Sequence, residues 1–130
     1  MRLLPKVIRR SFVGGYDARY VGTGEDGPTS LTSSVLRFSD DTGAGGFLEY
    51  LREIQSQTST REVGTVELLE APGLGEEGYA WHRAAPGVET SGCSWRRGDL
   101  VLTLTLGGPA GRAAPATALE LAGTVDARLA

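Results

Sequence analysis

The chain has 130 residues, of which 40% are hydrophobic and 22% charged, and its formal net charge is −3. This length and composition are those of one globular domain that buries a core without disulfides or metal ions, and they exclude a chain that is disordered throughout. The single cysteine, Cys93, excludes an intrachain disulfide. No apolar run approaches the roughly 20 residues that a transmembrane helix needs.

Positive charge is concentrated at the N-terminus. Positions 1–10 hold four basic residues and no acid, whereas the rest of the chain carries nine bases against sixteen acids. An acidic body argues against a nucleic-acid partner, because domains that bind nucleic acid present a basic face. We therefore divide the chain into a basic N-terminal arm, residues 1–10, and a single domain, residues 11–130.

The first half of this domain predicts two strands and a helix. Residues 11–21 are rich in aromatic and β-branched side chains and predict the first strand, and residues 30–38 predict the second. Residues 39–41, Ser-Asp-Asp, then suit a helix cap, because a carboxylate there accepts hydrogen bonds from free backbone N–H groups. Residues 42–57 have apolar side chains at helical spacing and predict the first helix.

The second half predicts four strands and a terminal helix. Residues 62–70 and 79–83 show the alternation of half-buried strands, and a loop is predicted over residues 84–92. Residues 94–106 predict a hairpin that turns at Gly98, since glycine adopts the positive φ that a tight turn requires.

The second strand of this hairpin is the clearest signal of burial. Leucine occupies every other position from Leu100 to Leu106, with valine and threonine between them, so one face is predicted to be buried. Pro115 suits the first position of the terminal helix. The apolar stripe of that helix predicts that Asp126 points outward.

These elements predict an α+β fold in the order ββαββββα. The sheet is expected to be mainly antiparallel, with about five to six strands, and the two helices are expected to pack on one face of it. No period of the kind found in repeat proteins is visible in the sequence.

Groups that could perform catalysis are scattered along the sequence. His82 is the sole histidine, so a metal site would have to draw its other ligands, Cys93 among them, from distant segments. No nucleophile motif accompanies His82 or Cys93. We therefore assign no catalytic residue, no metal ligand and no cofactor, and keep a small hydrolase that uses His82 as an alternative.

Aromatic residues on the predicted strands are the remaining candidate site. Tyrosine and tryptophan combine a large apolar area with one polar group, so they are common both in ligand pockets and in cores. From the sequence alone, both interpretations stay open. The candidate ligand-binding residues are Tyr16, Tyr20, Tyr79, Trp81 and Trp95.

Three segments resemble a family of small exported domains from actinobacteria. Residues 35–38, followed by a helix with Phe47 and Leu48, resemble the family's "V-x-x-F, then A-x-x-F/Y" element. Residues 77–81 are similar to the strand before its last hairpin, and residues 95–104 to its "R-R-G-N-x-V-x-x-V" hairpin. Members are lipoproteins and sensor-like domains, similar to the extracellular sensor domain of certain receptor kinases.

The resemblance implies a non-catalytic domain that binds a small molecule or a protein of the cell envelope. It also implies an extracytoplasmic or membrane-anchored location, while a cytoplasmic one stays open. We therefore predict a non-enzymatic binding or sensor-like domain. Besides the hydrolase, the alternative is a self-associating protein, a homodimer, that acts through its sheet, either edge to edge or by the face that carries Val101.

Overall fold

A computed structural model describes residues 6–22, 27–56 and 65–129. The predicted order ββαββββα is confirmed and is preceded by a short helix. The elements are α1 (Lys6–Ser11), β1 (Phe12–Val21), β2 (Ser30–Phe38), α2 (Asp41–Ser56), β3 (Thr65–Glu70), β4 (Glu77–Ala85), β5 (Val88–Arg97), β6 (Leu100–Pro109) and α3 (Pro115–Leu129). Parts of the predicted arm (residues 1–5), first helix (Gln57) and third strand (residues 62–64) lie outside the described residues.

All six strands form one antiparallel sheet in the order β1-β2-β6-β5-β4-β3. The predicted α+β class and antiparallel sheet are therefore confirmed. After the β1–β2 hairpin the chain passes through α2 to the far edge, and β3 to β6 return as a meander until β6 pairs with β2. This path leaves β1 and β3 as the two edges of the sheet.

The hairpin of β5 and β6 turns where the sequence predicts. Gly98 has a φ of 58°, and Arg97 pairs with Leu100 across the turn. The predicted loop over residues 84–92 is wrong, because all but its Pro86 and Gly87 belong to β4 and β5. Gly87, with a φ of 76°, makes a second tight turn.

The two long helices cover opposite faces of the sheet. A first hydrophobic cluster joins the leucine face of β6 to Ala118 and Ala122 of α3. A second joins Val101 of β6 to Leu48 of α2. The expectation that both helices pack on one face of the sheet is wrong. Val101, with 1% exposure, is as deeply buried as Leu102, Leu104 and Leu106 on the other side of its strand.

The first turn of α2 lies against α1. Asp40 caps the helix as predicted, since its Oδ1 accepts a hydrogen bond from the Gly43 N–H at 2.8 Å. A Cβ at Gly43 would overlap the Ser11 side chain, and Ile8 of α1 packs against the second cluster. The small residues of this turn therefore leave the space in which α1 packs against α2. None of the helices within the described ranges has the length and apolar character that crossing a bilayer requires.

Candidate functional site

The five candidate aromatic residues lie in three separate places. Tyr79 and Trp81 are buried in the second cluster, with ring centroids 5.9 Å apart. Trp95 is buried in the first cluster, on the opposite face of the sheet. Tyr16 and Tyr20 lie on β1 and are 72% and 58% exposed. The structure therefore does not bring the five into one pocket, and only the β1 pair is presented to solvent.

The outer side of β1 is a free sheet edge. Among the described residues, β2 is the only strand that pairs with β1. An unpaired strand offers a row of backbone N–H and C=O groups to another strand, and apolar side chains strengthen that tendency. The exposed large apolar residues of β1 are Phe12, Val13, Tyr16, Tyr20 and Val21. We call residues 12–21, with this outer side, the β1 edge.

Side chains alternate between the two faces along the β1 edge. Tyr16 pairs with Val35, which packs in the first cluster, so Tyr16 and Tyr20 belong to the α3 face of the sheet. Asp17 and Arg19 consequently belong to the α2 face, and both are exposed. The strand therefore presents aromatic side chains on one face and a pair of opposite charges on the other.

His82 is held by a neighbouring carboxylate. Its Nε2 lies 2.7 Å from Oε2 of Glu89, whose Oε1 accepts a hydrogen bond from the Ala113 N–H at 2.8 Å. Ser91, the strand partner of His82, donates its hydroxyl hydrogen bond to the Ala113 carbonyl. The hydrogen bond from the Ala113 N–H, and after it the contact with His82, lowers the pKa of Glu89. The group thereby ties the segment before α3 to the sheet.

The thiol of Cys93 is enclosed in the first cluster. Its exposure is 0%, and burial raises the pKa of the thiol to about 11. The thiolate is the nucleophilic form, so a thiol with this pKa reacts poorly at neutral pH. In the described ranges, no three histidine, cysteine or acidic side chains come together as a metal site requires.

Asp126 of α3 holds a polar network that the sequence did not reveal. Its carboxylate accepts two hydrogen bonds from Arg97, Nε at 2.7 Å and Nη2 at 2.9 Å. It also accepts one from Trp95 Nε1 at 3.1 Å and one from the Gly75 N–H at 2.9 Å. Chiefly through Arg97, these contacts lower the pKa of Asp126. The network links α3 to β5 and to the turn before β4.

The prediction that Asp126 points outward is wrong, since its exposure is 5%. Ala118, Ala122 and Asp126 are the buried residues of α3 and recur at a spacing of four. That spacing places them on one side of the helix. The periodicity could therefore have identified Asp126 as buried, but its charge favoured the opposite interpretation.

A cleft of about 340 Å³ lies between α2 and β4. Tyr79 lines it, and the Arg52 guanidinium carbon is 5.7 Å from the centre of the Tyr79 ring. Burial raises the pKa of Tyr79 to about 12, against smaller lowering effects of Ser94 and Arg52. Glu49 and Glu77 complete the polar lining. A volume of this order suits a small molecule.

Comparisons with models of protein families, with curated proteins and with solved structures returned no match for this chain. Within the described ranges, the cleft between α2 and β4 and the β1 edge are the two candidate binding surfaces. The cleft between α2 and β4 carries charges of both signs, and Arg52 and Glu77 in it already have ion-pair partners in Glu70 and Arg96. The β1 edge combines free backbone groups with exposed aromatic side chains, and is the stronger candidate binding surface.

Proposed function

We propose that the protein is a non-enzymatic binding domain that takes up an extended segment of another chain along the β1 edge. The observation that carries this proposal is the exposure of Tyr16 and Tyr20 on a strand whose outer side is unpaired among the described residues. A strand added there would receive backbone hydrogen bonds from β1. Its alternate side chains would cover the two tyrosine rings.

The contacts of His82 and Cys93 support the non-enzymatic part of the proposal. His82 is engaged with Glu89, and that carboxylate is in turn fixed by the Ala113 N–H. Cys93 is buried with a raised pKa. Both residues thus contribute to the packing of the domain. The hydrolase alternative is then left without an exposed nucleophile beside His82.

We also propose a sensor-like role in the cell envelope. The resemblance to exported sensor-like domains implies this role, in which binding of a partner is the signal. Strand addition makes the partner an extended protein segment. The cleft lined by Tyr79 is the place where a small molecule would bind instead.

Binding of a labelled strand peptide tests the proposal. The probe is a fluorescein-labelled peptide of alternating threonine and valine with a terminal lysine at each end, and fluorescence anisotropy measures its dissociation constant. We expect the double substitution Tyr16→Ser and Tyr20→Ser to weaken binding by about tenfold, because two aromatic cross-strand contacts are lost.

Val88→Ser is the matched control, because Val88 is 53% exposed but lies at the start of β5, away from the β1 edge. This variant should bind the peptide as the unmodified chain does. Absence of binding to the unmodified chain at millimolar peptide, or equal weakening by the control, would contradict the proposal.

A further inference from the structure

We infer that the segment bound along the β1 edge is β1 of a second copy of this chain, paired antiparallel about Ala18. This inference rests on the proposed function and names the partner of the same edge. A two-fold axis through Ala18 makes the interface isologous, so that each contact occurs twice. The two sheets would join into one.

Pairing about Ala18 is complementary in charge. Asp17 of one copy lies directly opposite Arg19 of the other, and the second pair follows by symmetry. Both side chains are exposed on the α2 face, so they meet on the same side of the joined sheet. Opposite charges across an antiparallel pair are favourable, whereas like charges are not.

The neighbouring registers are disfavoured by the same charges. Directly opposite residues of an antiparallel pair lie on the same face, so the register can shift only in steps that keep the faces matched. A shift of one strand by two residues puts Asp17 opposite Asp17 of the second copy in one direction, and Arg19 opposite Arg19 of the second copy in the other. Both shifts place like charges opposite each other, so the charges favour the register about Ala18 over its two neighbours.

The aromatic side chains fit the selected register as well. Tyr16 of one copy lies opposite Tyr20 of the other on the α3 face, and again the contact occurs twice. Cross-strand aromatic pairs stabilise antiparallel sheets. Both tyrosines, which are exposed on the single chain, would thus be covered in the dimer.

The length of the regular strand also points to Ala18. A register irregularity interrupts β1 between Phe12 and Gly14, and regular pairing continues from Gly14 to Val21. In the register about Ala18, Gly14 lies opposite Gly22 of the second copy. The irregularity therefore falls just outside the paired stretch, where it would end the ladder.

Reversal of one charge at a time tests the inference. Sedimentation velocity is recorded on the full chain from micromolar to about half-millimolar concentration. We expect the unmodified chain to dimerise and the single variants Asp17→Arg and Arg19→Asp each to dimerise at least about tenfold more weakly, because every charge pair becomes repulsive. An equimolar mixture of the two variants should restore the dimer, because each supplies the charges that the other lacks.

Glu120→Arg is the control, since it changes the net charge as Asp17→Arg does but on the exposed side of α3. It should leave dimerisation unchanged. A monomeric unmodified chain, dimers that persist in the single variants, or a mixture that stays monomeric would each overturn the inference. If the full chain is monomeric while the threonine–valine peptide binds, the proposed function stands and only its assigned partner falls.

Discussion

At the scale of single residues, the buried Asp126 carboxylate accepts four hydrogen bonds. It satisfies the indole N–H of Trp95, the Gly75 N–H and the half-buried Arg97 guanidinium. Hydrogen bonds to a charged group contribute more than neutral ones, and a buried donor left without an acceptor costs free energy. We therefore expect Asp126→Asn to lower the free energy of unfolding at pH 7 by about 2 kcal/mol.

The pKa of Asp126 gives this prediction a pH signature. Because that pKa is lowered in the folded state, the carboxylate stabilises the protein fully above its ordinary pKa of about 4 and loses this effect as the pH falls through the folded value. Urea unfolding at pH 7 and pH 3 should show the deficit of Asp126→Asn narrowing in acid. Glu120→Gln, exposed on the same helix, is the control. A deficit that is equal at both pH values would contradict this account.

At the scale of elements, glycines in the helices act in opposite ways. A Cβ at Gly43 of α2 would overlap Ser11 of α1, whereas a Cβ at Gly123 of α3 meets nothing within 4 Å. We expect Gly43→Ala to destabilise the protein by about 2 kcal/mol through overpacking. Gly123→Ala should stabilise it by up to about 1 kcal/mol, because alanine is the better helix former. Urea unfolding measures both, and a change of the same sign in the two variants would be inconsistent with this packing.

Local patterns predicted the elements well where one physical cause dominated. The Gly98 turn, the Asp40 cap and the Pro115 helix start each depend on a few adjacent residues, and all three are confirmed. The missed strand start at Val88 has a different origin. Pro86 and Gly87 indicated a loop, but a two-residue turn is all that they form.

The placement of the helices could not be predicted in the same way. The leucine face of β6 correctly indicated a buried surface, and Leu102 is 2% exposed. The opposite face reads as polar apart from Val101, although α2 covers Val101 and Tyr79 there. Which face a distant helix covers depends on the chain path, and no local period records that path. The five aromatic residues are separated by strand pairing, which places Gly78 rather than Tyr79 opposite Trp95 and leaves Tyr16 and Tyr20 on an edge strand.

At the scale of the whole molecule, helices cover both faces of the middle of the sheet, and the edge strand β1 extends beyond them. α3 and α2 cover opposite faces of the central strands, while β1 carries exposed Tyr16 and Tyr20 beyond them. A long, apolar free edge is a liability that proteins usually protect. Pairing of the β1 edge with a second copy accounts both for the exposed tyrosines and for the spacing of Asp17 and Arg19.

The most direct test of this central claim is an interchain disulfide at Ala18. In the proposed register Ala18 lies opposite its own counterpart, and directly opposite residues of antiparallel strands have Cα atoms about 4.5 to 5.5 Å apart, which suits a disulfide. Cys93 is buried and should not react. Under mild oxidation, Ala18→Cys should give a covalent dimer on non-reducing gels, and Tyr20→Cys, which would face Tyr16, should give little. Equal cross-linking of the two variants, or no cross-linking of Ala18→Cys, would contradict pairing of two β1 edges about Ala18.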